Sequence, residues 1–100
     1  MLTAKEIIRR VEEHRAERRG FGVKRLRLFG SYARGEAGPR SDIDFLVGFK
    51  PGRGDYDDYA GLLHLLRSIT GRRVDLVKTK LVREELRESI LEGRQIEAKM

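Results

Sequence analysis

Two short stretches of this chain alternate with a period of two, and a glycine stops each. In Lys24–Phe29, Leu26 and Leu28 fall on one side and Arg25 and Arg27 on the other, before Phe29 and Gly30 close the run. In Asp42–Val47, Ile43, Phe45 and Val47 share the side opposite Asp42 and Asp44. Strands this short need a sheet and a covering layer, and helical periodicity supplies the cover. Thr3 and Glu6 have capping-box spacing ahead of Ile7, Ile8 and Val11, which predicts a helix to about Arg18, ended by Gly20 and Gly22. Asp55 or Asp57 caps a second helix with Tyr59, Leu62, Leu63, Leu66 and Ile69 on one face, ended by Gly71. Between these lie one helical turn at Ser31–Arg34 and a flexible loop from Gly48 to Asp55. Val74–Val77 reads as a third strand, Thr79 as the cap of a last helix through Val82, Leu86 and Ile90, and Arg94–Met100 as a candidate edge strand. The order predicts an α/β (α+β) fold, a small mixed β-sheet flanked by helices.

One hundred residues make one domain, residues 1–100, with room for a single modest core. No stretch approaches the roughly 20 apolar residues that span a bilayer, and the charged, helical start lacks the pattern of a secretory signal, so a cytoplasmic protein without membrane contact is expected. The absence of cysteine excludes disulfides, thiolate metal sites and thiol nucleophiles. A net charge of +6 favours polyanionic partners, but basic residues never run beyond two in a row and form no concentrated stripe. Direct nucleic-acid binding is therefore left open and not favoured.

The chemistry concentrates at Asp42 and Asp44. Residues two apart in a strand point the same way, which aims two carboxylates about 7 Å apart at one place. They repel unless solvated, protonated or neutralised, and Mg2+ neutralises such pairs while drawing its other ligands from water and substrate phosphates. An isolated Asp-x-Asp more often marks the wet face of a strand. The preceding turn shifts that balance: Gly30 lets backbone approach a ligand, and Ser31 opens a helical turn whose N–H groups and hydroxyl suit a phosphate. Tyr59 belongs to a helix core, whereas Tyr32 and Tyr56 read as surface residues and His64 as a packing or rim residue.

Gly30-Ser31, ten residues, then Asp42-x-Asp44 resembles the G-S-x10-D-x-D motif of the polymerase-beta-like nucleotidyltransferase superfamily. "FGSYARGEAGPRSDIDFLV" and the later "RRVDLV" are similar to the minimal nucleotidyltransferase (MNT) family of small stand-alone domains. The resemblance implies that fold, and a third carboxylate on a neighbouring strand, for which Asp75 is the matching position. It implies Asp42, Asp44 and Asp75 as catalytic and metal-holding residues with Mg2+, expected as two ions. Gly30 and Ser31 would hold the phosphates of ATP, with Arg34 as a further cationic contact. It further implies an antitoxin paired with a HEPN toxin, transferring AMP to a hydroxyl, expected to be tyrosine, of that partner. The competing expectations are a binding-only antitoxin that masks the toxin sterically, and a nucleotidyltransferase acting on a small molecule or RNA.

Overall fold

The structure, a computed structural model, describes residues 2–81 and 93–99. The last helix expected through Val82, Leu86 and Ile90, with Thr79 as its cap, lies outside the described residues; Thr79–Leu81 forms a single 3-10 turn.

The sheet has four strands in the order β3-β2-β1-β4. β1 (Val23–Phe29) and β2 (Ile43–Phe49) pair antiparallel, β2 and β3 (Val74–Lys78) parallel, and the two-residue β4 (Ile96–Glu97) closes the far edge against Arg27 and Leu28. The sheet is thus mixed, as the strand order in the sequence implies, and the tail supplies the expected edge strand. The parallel pair needs a crossover, which α4 (Tyr56–Thr70) provides.

Period-two alternation puts Leu26 and Leu28 of β1, Ile43, Phe45 and Val47 of β2, and Val74 and Leu76 of β3 into one buried cluster. Ile7, Ile8 and Val11 of α1 (Ala4–Glu13) and Leu62 and Leu66 of α4 complete it. Both helices start on the caps expected of them: Thr3 Oγ1 accepts from the Glu6 N–H at 3.2 Å, and Asp55 Oδ1 accepts from the Asp58 N–H at 2.9 Å. Gly71, with φ +66°, stops α4 in the left-handed conformation.

The first helix does not run unbroken to Arg18. It stops at Glu13, and α2 (Arg15–Gly20) begins after His14. The His14 ring Nδ1 donates to the Arg10 carbonyl at 2.8 Å and takes the acceptor that the His14 N–H would use; that N–H turns to the Val11 carbonyl at 3.1 Å. Local side-chain competition of this kind breaks a helix without proline or glycine. Tyr32 also departs from the surface reading: it is buried, because the one-turn α3 (Gly30–Arg34) leans Tyr32 and Ala33 onto the core. Tyr56 is 80% exposed, as expected, and His64 is exposed on α4.

Candidate active site

β1 ends at Phe29, directly opposite Asp44 of β2, and the chain turns at once into α3. Gly30 makes that turn with φ +76°, where a side chain would be strained. It has a second reason to be glycine: a β-carbon at position 30 would run into Oδ2 of Asp44. The Asp44 carboxylate therefore lies folded over the Gly30 backbone, beside the half-buried Ser31 that begins the helical turn. The register and the glycine together place a carboxylate against the start of α3.

The parallel pairing of β2 with β3 sets Asp44 opposite Asp75. Neighbouring strands lie about 4.8 Å apart, so the two carboxylates leave the same face of the sheet side by side. Tyr59 steadies β3 from beneath, its hydroxyl donating to the Leu76 carbonyl at 2.5 Å. Asp42 sits just before β2 rather than within it, on a loop closed by the Gly38 N–H donating to Ser41 Oγ at 2.9 Å and the Ser41 N–H donating to the Gly38 carbonyl at 3.1 Å. Its side chain is exposed and reaches Arg73, whose Nε lies 3.1 Å from Oδ1. Arg34, at the far end of α3, is paired with Glu36 at 3.0 Å.

Electrostatics tie these groups together. Burial raises the Asp44 pKa, the charges of Asp75 and Asp42 raise it further, and Arg34 opposes them; the carboxyl ends at about 6, against 3.8 for a free aspartate. Asp44 thus carries negative charge that its surroundings leave under-compensated. All three carboxylates supply hard oxygen donors, which is the donor set a divalent magnesium ion takes. They are not gathered into a finished cage: among the described residues no group of three acidic, histidine or cysteine side chains is close enough to hold a metal ion. Asp42 is the member of the three that carries an ion pair, to Arg73. Of the residues singled out from the sequence, the structure sets Gly30, Ser31, Asp44 and Asp75 side by side and leaves Asp42 on the loop before β2 and Arg34 at the far end of α3. Sequence reasoning gave no role to Arg73, which lies in the quoted RRVDLV stretch immediately before the third strand.

The model of the nucleotidyltransferase domain matches residues 6–97. The chain belongs to the nucleotidyltransferase family. The protein adenylyltransferase MntA of Thermococcus cleftensis is 36% identical to this nucleotidyltransferase over 98 residues, covering 91% of this chain and 92% of the relative. A solved structure described as a minimal nucleotidyltransferase superposes with a TM-score of 0.78 at 36% identity, covering 93% of this chain and 94% of its own. A chain of the solved structure of tri-AMPylated Shewanella oneidensis HEPN toxin in complex with MNT antitoxin has the same fold, with a TM-score of 0.62 at 21% identity over 92% of this chain and 71% of the matched one. The four-stranded mixed sheet with helices is the fold of the minimal nucleotidyltransferases. Among the described residues of this nucleotidyltransferase, no helix is long and apolar enough to cross a membrane.

Proposed function

We propose that this nucleotidyltransferase moves AMP from ATP to a hydroxyl of a partner protein, with tyrosine the expected acceptor and a HEPN toxin the expected partner, which it thereby neutralises. Residues 1–100 act as one minimal nucleotidyltransferase domain in this reading. The observation that carries it is the in-register Asp44 and Asp75 beside a glycine turn at which a β-carbon would collide with Asp44. The 36% identity to an adenylyltransferase that acts on protein supports the reaction, and the shared fold of a toxin-bound MNT antitoxin supports the partner.

The chemistry forms a bond between the acceptor oxygen and the α-phosphorus, breaks the bond from that phosphorus to the bridging oxygen, and releases pyrophosphate. Gly30 and Ser31 hold the phosphates at the start of α3, where backbone N–H groups lack helical partners. Arg34, free to leave its exposed partner Glu36, adds a cationic contact. Asp42, Asp44 and Asp75 would hold Mg2+, which when bound absorbs the negative charge developing on the phosphate oxygens. In this reading Asp75, exposed and in register with Asp44, takes the role of proton acceptor or metal ligand nearest the incoming hydroxyl.

The deciding experiment is the intact mass of the protein encoded beside this gene after incubation with ATP and Mg2+, with wild type and with Asp44→Ala. AMP addition by wild type alone is the expected result. One observation favours the second reading, a binding-only antitoxin: Asp42 is turned to Arg73 and the carboxylates are not gathered. A tight complex formed without any mass change would establish that reading in place of the first.

A further inference from the structure

Among the described residues, Asp42 is the carboxylate of the three that carries an ion pair, and the pair is built by the fold. The Ile43 N–H donates to the Arg73 carbonyl at 2.9 Å, which pins the backbone of Arg73 beside that of Asp42 at the start of the parallel pairing. From there Arg73 Nε reaches Asp42 Oδ1 at 3.1 Å, while Nη2 donates to the Arg40 carbonyl at 3.2 Å. The guanidinium thus bridges the strand entry and the loop that carries Asp42. Both side chains are open to water, 77% and 49% exposed, so the pair is one that a stronger ligand of the same carboxylate can displace.

We propose that Arg73 is a placeholder cation: it occupies Oδ1 of Asp42 until Mg2+ takes that oxygen, and so sets the metal concentration at which the site fills. This rests on the reading of the three aspartates as metal ligands. Arg73 holds Oδ1 of Asp42, so a divalent ion that takes that same oxygen must overcome whatever the arginine gains on it. An exposed pair of this kind is worth about a two- to fivefold change in an equilibrium constant. The tether to Arg40 keeps the displaced side chain near the site, ready to return when the metal leaves.

The test follows thermal unfolding of the full chain against MgCl2 at constant ionic strength, because an exposed pair is also sensitive to salt. Metal that binds the folded chain raises the unfolding temperature with a midpoint set by its affinity. Arg73→Gln is expected to reach half-saturation at about two- to fivefold lower MgCl2 than wild type. In an Asp42→Asn background the same change is expected to bring no gain. Arg72→Gln removes an equal charge one residue away and is expected to shift the midpoint less. A midpoint in Arg73→Gln equal to or above that of wild type overturns the proposal, as does an equal gain in Arg72→Gln or a gain that survives Asp42→Asn. If Mg2+ raises the unfolding temperature of neither wild type nor Arg73→Gln, the metal-ligand reading falls, and this inference with it.

Discussion

Asp44 pays for its place. Its pKa is raised to about 6 in the folded chain, above the 3.8 of an exposed aspartate, so the folded state holds the proton more tightly than the unfolded one. The sign follows: this group favours folding below about pH 4, and that contribution is lost as pH rises through about 6. At pH 7.5 the ionised carboxylate works against the fold. Asp44→Asn is therefore expected to stabilise the chain at pH 7.5 by roughly 1 kcal/mol, a figure reduced for the solvent that still reaches the group, and to abolish nucleotidyl transfer. The gain should shrink toward zero near pH 4, which urea titrations at the two pH values would read. A destabilised Asp44→Asn at pH 7.5 would contradict the electrostatic account of the site. The companion residue, Gly30, shows why a pattern of spaced residues is only part of the information. Its identity could be read as a turn requirement, but the contact with Asp44 Oδ2 depends on a strand pairing that the local sequence does not display.

At the scale of elements, the helices and strands were legible where periodicity, caps and stops agreed. α4 begins after Asp55 and ends at Gly71, and the three longer strands fall within a residue or two of the alternating runs. Asp55→Ala is expected to cost about 1 kcal/mol in chemical denaturation, since it leaves the Asp58 N–H without its side-chain acceptor. An unchanged denaturation midpoint would mean that water replaces the cap at no cost. Elsewhere the competing forces were not local. The break at His14 depends on which way a ring turns, and the burial of Tyr32 depends on what α3 packs against. The site divided the same way. Asp44 and Asp75 were brought together by register, as the alternation of each strand allows, whereas Asp42 falls on the loop before its strand and pairs with an arginine 31 positions later. Charge pairs between distant segments leave no periodic trace.

At the scale of the whole molecule, the C-terminal segment is stitched to the first helices as well as to the sheet. Arg18 is fully buried on α2 and donates through Nη2 to the Lys99 carbonyl at 3.0 Å, the Lys99 N–H donates to Glu12 Oε2 at 2.8 Å, and the Ala98 N–H donates to the Leu26 carbonyl at 3.0 Å. Burial holds the Arg18 pKa below its ordinary value, yet the guanidinium stays charged at any neutral pH. Arg18→Ala is expected to cost about 2–4 kcal/mol, because it removes both the packing volume and the donor beneath the tail. A loss below about 0.5 kcal/mol in equilibrium unfolding would show that the tail docks without it. The parallel seam between β2 and β3 has a consequence of another kind. Side chains alternate along a strand, so a slip of one residue in that seam would send Asp75 to the helix-covered side and carry Val74 or Leu76 out beside Asp44. Such a misfolded chain could keep its secondary structure and much of its compactness while holding a single carboxylate where two belong. Under the proposed roles of Asp44 and Asp75, nucleotidyl transfer would read strand alignment, sensitive to a 3.3 Å error that bulk spectroscopy would pass over.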